Sequence, residues 1–163
     1  MRNISRIIFT IALLLCIGQA FYYYPLLPNR VASHFGASGL PNAWSDKETF
    51  LKIYLFIVAF IGVLFSITGV VVRKLPDSMI NLPNKDYWLS LGHRQETTDF
   101  LARQFHWFGS ATLLLLLDIF HQSFTVNLGK AEALSHPVTS IAIYVGFSLL
   151  WSVILIVKFM RLP

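Results

Sequence analysis

Asp118 and His121 are the side chains of this sequence best able to do chemistry, because both stand in an otherwise apolar stretch. A carboxylate at the centre of a membrane span costs roughly 2.5–3.5 kcal/mol on insertion scales, and less towards the interface, so something must compensate it. Three residues apart, the pair shares one face of a helix. His34 and His136 fall on the same side of the apolar runs. Imidazoles and a carboxylate drawn from Asp118, His121, His34 and His136 have the donor chemistry to hold a divalent metal or to relay protons. The blander alternative is that Asp118 bonds His121 or loop donors while His34 packs as a ring. A D-x-x-H pair is much less specific than H-E-x-x-H, which carries its own general base and does not occur here. His93 and His106 lie towards the opposite ends of the runs and read as interface residues. The sequence has no phosphate loop, nucleophile elbow, dinucleotide fingerprint or paired catalytic carboxylates, which disfavours an enzyme. No cofactor is implied apart from that metal.

The elements that must position these residues are apolar. Of 163 residues, 55% are hydrophobic and 13% charged, against about 25% charged in soluble domains, and the mean hydropathy is +0.61. A disordered chain is too polar to look like this. The single cysteine, Cys16, excludes a disulfide framework and cysteine-based metal sites. Four runs are long enough to cross a hydrocarbon core of about 30 Å, at residues 7–24, 51–72, 105–124 and 138–159. The first has Gln19 as its one strongly polar side chain. The third contains Asp118 and His121, and residues 94–103 before it form a polar lead-in helix that Thr97 or Thr98 can cap. The expected fold is an all-α integral membrane protein, a single membrane domain over residues 1–163 with four transmembrane helices. Gly62 and Ser66, and the spaced set Ser140, Tyr144, Ser148 and Ser152, mark faces where helices approach closely.

The net charge of +5 and pI near 9.6 reflect orientation, because the cations flank the apolar runs and form no basic domain. Nucleic acid is therefore not an expected partner, whereas the lipid bilayer is. Nine of the thirteen lysines and arginines sit at the amino terminus, in the 73–104 loop or at the tail. The positive-inside rule then puts both termini and that loop in the cytoplasm, with residues 25–50 and the third loop outside. A cleavable signal peptide is the alternative for the first run, but Phe21 to Tyr24 extend it into an aromatic belt, which favours an uncleaved anchor. Leu13-Leu14-Leu15-Cys16 is not a lipobox, so Cys16 reads as an inert thiol.

The loop over residues 25–50 holds three prolines and two glycines, too much punctuation for a long helix, and Phe35, Leu40 and Trp44 give it something to bury. An ordered cap is expected. Tyr24-Pro25, Leu27-Pro28, Val31, His34-Phe35, Gly39, Pro41, Trp44 and Lys47 follow the order of a bacterial membrane domain of unknown function that also forms the amino-terminal part of SdpI-type immunity proteins. The chain resembles that family. Ala32 departs from it, standing where proline is frequent, and Asn42 stands where an acidic residue is common. The run Asn81, Pro83, Asn84, Lys85, Tyr87 and Trp88 is similar to a segment of many relatives; on its own physics it is a proline-broken turn followed by two interfacial rings.

The resemblance implies a helical inner-membrane protein, some relatives of which act in immunity to a secreted toxic peptide or in signalling, and it implies no catalytic residues. The reading is a non-catalytic SdpI-like protein of envelope binding, immunity or signalling. Its external cap residues are His34, Phe35, Gly39, Trp44 and Lys47. Two other classes stay open: a small accessory subunit, meeting a membrane-protein partner or a second copy of itself, and a metal- or proton-handling membrane enzyme using Asp118 and His121.

Overall fold

The computed structural model describes residues 4–162. Arg2, one of the two cations counted at the amino terminus, lies outside them. The elements are α1 (Ile4–Tyr23), β1 (Arg30–Phe35), β2 (Pro41–Asp46), α2 (Lys47–Lys74), the short α3 (Lys85–Trp88), α4 (Arg94–Asn127) and α5 (Pro137–Met160). The chain is mostly helical. Three stretches are long and apolar enough to cross a membrane by length and composition: Ile4–Leu26, Lys47–Lys74 and Pro137–Met160. α4 is the longest helix at 34 residues, about 51 Å at 1.5 Å per residue. Gln104, Asp118, His121 and Gln122 keep it out of that set. It also runs straight through the lead-in expected to be separate. Thr97 and Thr98 do not cap it: both are buried, the helix begins at Arg94, and the residue before it, His93, makes no side-chain cap bond.

Residues 30–46 correct the all-α expectation. They form an antiparallel hairpin, Arg30 pairing with Asp46 and Ala32 with Trp44, with irregular register on both sides of His34. The turn is built on glycine. Gly36 N–H donates to the Leu40 carbonyl at 2.9 Å, and Gly39 takes φ +79°, a left-handed conformation that costs a residue with a Cβ. A Cβ at Gly39 would also meet the Leu134 carbonyl oxygen at 3.1 Å, where the hairpin leans on the α4–α5 loop. Leu134 N–H donates to the Gly39 carbonyl there at 2.9 Å. At the strand's foot, Asn127 at the end of α4 treats Ala32 as a strand partner would: its Oδ1 accepts from the Ala32 N–H at 2.6 Å and its Nδ2 donates to the Ala32 carbonyl at 3.0 Å. A proline at position 32 could not make the first of these bonds.

The hairpin closes one end of the bundle, so α1 and α4 finish there and α2 and α5 begin there. The helices alternate in direction around α4, which packs against α1, α2 and α5. Asp46 starts α2 by accepting the Thr49 N–H at 2.7 Å, an N-cap that satisfies an orphan donor of the first turn. That amide holds the Asp46 carboxyl below its ordinary value. The main core lies between α1, α2 and α4 and includes Phe9, Ala12, Cys16, Tyr54, Leu113 and Phe124. Gln19 is satisfied inside it, donating to the Leu117 carbonyl at 2.9 Å and accepting from the Tyr54 hydroxyl at 2.8 Å. His106 is not an interface residue. It is buried, its Nδ1 is 2.9 Å from the Ala102 carbonyl and its ring stands edge-on to Phe9.

Candidate functional site

Asp118 is compensated from α5 and not by His121. Its Oδ2 accepts from the Ser140 hydroxyl at 2.6 Å and from Gln122 Nε2 at 2.7 Å, and its Oδ1 stands 3.4 Å from His136 Nε2. Gln122 is the hinge of this cluster. One end of its amide serves Asp118 while the other, Oε1, accepts the His136 backbone N–H at 3.0 Å. That N–H is in the first turn region of α5, where no helical carbonyl can take it. The result ties the start of α5 to the last third of α4 through four side chains. Ser140 had been singled out for its size; its hydroxyl proves to be what matters.

Below the cluster, α1, α4 and α5 leave between them a slot of about 650 Å3. Its floor is α4, with Ala111, Leu114 and Leu115. One wall is α5, with Ile143 and Phe147, and the other includes Ile8 of α1. The far end carries Gln104 and Trp151, whose indole N–H donates to Gln104 Oε1 at 3.2 Å. Midway, the Thr112 and Tyr144 hydroxyls meet at 2.9 Å. Ser148 and Ser152 of the same spaced set bond back to their own helix, to the Tyr144 and Ser148 carbonyls. The slot is thus mostly apolar, with polar groups at its ends and the Tyr144 hydroxyl, met by Thr112, midway.

The four residues gathered in the metal reading are divided. His136 reaches Asp118. His121 turns to the other flank of α4, where its Nδ1 is 3.1 Å from the Tyr23 hydroxyl. His34 stays in the hairpin, hydrogen-bonded to Asn42. Asp118 and His121 do border a common groove along α1. Among the described residues no three histidine, cysteine, aspartate or glutamate side chains come together as a metal would require.

The cap residues take roles in the hairpin itself. Phe35 pairs with Pro41, Gly39 seats the turn on Leu134, the Arg30 guanidinium lies 5.9 Å from the centre of the exposed Trp44 ring, and Lys47 Nζ lies 5.1 Å from that of Tyr24.

The second motif caps helices. Asn84 Nδ2 donates to the Phe159 and Met160 carbonyls at 3.1 and 2.9 Å, and Trp88 Nε1 donates to the Phe159 carbonyl at 2.9 Å. These are carbonyls at the end of α5 that have no partner within the helix. Asn84 does this from φ +51°, a left-handed conformation that asparagine tolerates better than most residues. Asn81 and Pro83 form the approach, Lys85 opens α3, and Tyr87 stacks on His93 at 4.4 Å. Arg94 does the same service for α2, donating to the Arg73 and Leu75 carbonyls and pairing with Asp77 at 2.8 Å. Lys158 Nζ completes the corner, 4.6 Å from the centre of the Phe100 ring.

With this geometry in place, comparison with known families gives one match. Residues 11–58 match a family described as a domain of unknown function, DUF1648. The match supports a membrane-domain family for this stretch and does not single out the SdpI-type proteins. It runs from within α1 through the hairpin into α2, so the DUF1648 segment contains all five cap residues. The Asp118 cluster and the slot lie beyond it. No match to a curated protein or to a solved structure was found.

Asn127, Gln122 and Arg94 are the positions, structural by what they bond, that sequence reasoning passed over. Each is a polar side chain that bonds backbone of a distant element. Gln122 had a usable signal, because it stands four residues after Asp118 and shares its helical face. Nothing local marks Asn127 as the partner of residue 32.

Proposed function

We infer that the chain is a four-span inner-membrane protein that works by binding rather than by catalysis, in envelope binding, immunity or signalling of the SdpI-like kind. The observation that carries the binding reading is the slot of about 650 Å3, within the size of small-molecule sites and open sideways between α1 and α5. A ligand dissolved in the bilayer reaches such a site without crossing the protein.

α4 is the fourth span in this reading. It lies along α1 and α2, and a helix packed lengthwise between two membrane helices shares their depth. Most of its polar groups find partners inside the bundle: Gln122 on α5, one oxygen of Asp118 on Ser140, Thr112 on Tyr144, and Ser110 on the His106 carbonyl. That arrangement suits a span that total hydropathy understates. The hairpin is then the extracytoplasmic cap, and both termini face the cytoplasm with the cation-rich stretch of residues 73–104.

Single cysteines at Ser38, Leu91 and Glu132, in a Cys16→Ser background, test this with a membrane-impermeant maleimide on intact cells. Ser38→Cys and Glu132→Cys label from outside, and Leu91→Cys labels only after permeabilisation. Labelling of Glu132→Cys and Leu91→Cys from one side would show that α4 does not cross.

A second reading, the accessory subunit, draws on α5. Phe159 is its one buried residue among those described, and its outward face, with Val145, Leu149 and Val153, is apolar and exposed. Comigration of a second protein after mild solubilisation supports it, and a clean monomer removes it.

A further inference from the structure

We propose that the slot between α4, α5 and α1 is the binding site of a single-chain amphiphile with an ammonium headgroup. The head sits at Asp118 and the alkyl chain runs towards Gln104 and Trp151. This rests on the reading of the chain as a membrane-embedded binding protein and names the ligand class.

The first argument is polarity along the slot. Ala111, Leu114, Leu115, Ile143 and Phe147 line its length, and the fourteen residue steps from Gln104 to Asp118 cover about 21 Å of α4 at 1.5 Å each. That is the shape of an extended alkyl chain. Among the described residues that line it, Asp118 is the one aspartate, glutamate, lysine or arginine. The charge therefore stands at one end of an apolar track.

The second argument is the unused valence of that charge. An ionised carboxylate offers about four acceptor sites. Ser140 and Gln122 both bond Oδ2, whereas Oδ1 has only the long 3.4 Å approach of His136, and the Asp118 side chain is 38% exposed. Oδ1 is thus free to accept from a further donor. In surroundings this apolar, a cation is the donor that offsets the anion best, because it adds the attraction of an opposite charge to the hydrogen bond. An ammonium has three N–H groups, and the hydroxyls of Thr139 and Ser140 line the same end.

The same lining argues against other heads. A carboxylate would meet Asp118 as a like charge, and an alcohol would bond Oδ1 without adding an opposite charge. A phospholipid headgroup brings a phosphate for which the lining holds no lysine or arginine. The occupant is therefore a simple alkylamine-type amphiphile, drawn from the bilayer through the open side.

The test uses the full chain in phosphatidylcholine nanodiscs and three photoreactive probes of one alkyl chain, ending in an amine, an alcohol or a carboxylic acid. Crosslinks are mapped by peptide mass spectrometry, with the lipid-facing Phe56–Phe60 stretch of α2 as the background. The amine probe should label the Leu114, Leu115 and Ile143 region about tenfold above the other two, equivalent to about 1.4 kcal/mol. Excess dodecylamine should compete it away. Asp118→Asn should remove the preference for the amine while chain labelling persists, and Ala111→Trp, which fills the floor, should remove labelling by all three. Equal labelling by the three probes overturns the ammonium assignment but leaves the slot a binding site. Labelling of the slot no higher than the α2 background by any probe overturns both this assignment and the binding reading. The three-probe comparison is made on the unmodified protein, so a variant that fails to fold does not blunt it.

Discussion

α1 and α5 lie against the same helix by different means. α1 presents Ala12, Cys16 and Ala20, four residues apart and each almost fully buried, so its backbone comes close to α4. The Cys16 thiol even reaches the Leu113 carbonyl at 3.4 Å. Small residues at this spacing allow such approach wherever helices pack without a hydrophobic drive between them. α5 faces α4 with Ser140, Tyr144, Phe147 and Trp151, and its large rings pack on Phe108, at 5.9, 6.3 and 4.9 Å between centroids for Tyr144, Phe147 and Trp151. These rings hold the two helices apart, and the slot is what remains between them. A tightly packed face and a spaced, polar-pinned face on one helix leave an open slot beside a close-packed core.

The contrast is tested most directly by adding bulk at the close-packed face of α4 and on the open side of α5. A Cβ at Gly109 would lie 2.7 Å from Phe9 Cε2 and from Phe65 Cγ, whereas a Cβ at Gly146 of α5 meets nothing within 4 Å. Gly109→Leu is therefore expected to destabilise the protein by about 3 kcal/mol, and Gly146→Leu to leave it unchanged, both read by thermal unfolding in detergent. Equal effects would mean that α5 is packed as closely as α1.

A smaller effect tests how α5 is held. Asn84→Asp keeps the size and turn preference of the residue but loses the donors to Phe159 and Met160. About 1–3 kcal/mol of local stability should go with them, seen as faster amide exchange over the last turns of α5 with α1 unaffected. The smallest change, Thr112→Val, cuts the single tie to Tyr144 and should cost about 0.5–1.5 kcal/mol. It sharpens the comparison if exchange rises around Tyr144 and not at the two ends of α5, which the Asp118 cluster and Asn84 hold independently.

Much of this was legible without the structure. The four apolar runs reappear as α1, α2, α4 and α5, because hydropathy over a turn or more is a local, additive property. The glycines and prolines of residues 25–50 correctly denied a helix there, although the pairing into a hairpin depends on which residues oppose one another across the turn. Asp118 was correctly marked as needing compensation, since that follows from a carboxylate in apolar surroundings. Its partner was not legible. With about 100° of rotation per residue, His121 and Gln122 lie on opposite sides of the line through Asp118, and sequence alone treats both as neighbours.

What chose between them was the placement of the other helices. α1 packs on the His121 flank and brings Tyr23 to it; α5 packs on the Gln122 flank and brings Ser140 and His136 to Asp118. The types of residue that must leave water, the length of each run and the need to neutralise Asp118 are set by chemistry that every residue carries with it. Which flank of α4 receives which helix, and how far that helix stands off, is set by the side-chain volumes of both partners together, and so belongs to the tertiary structure.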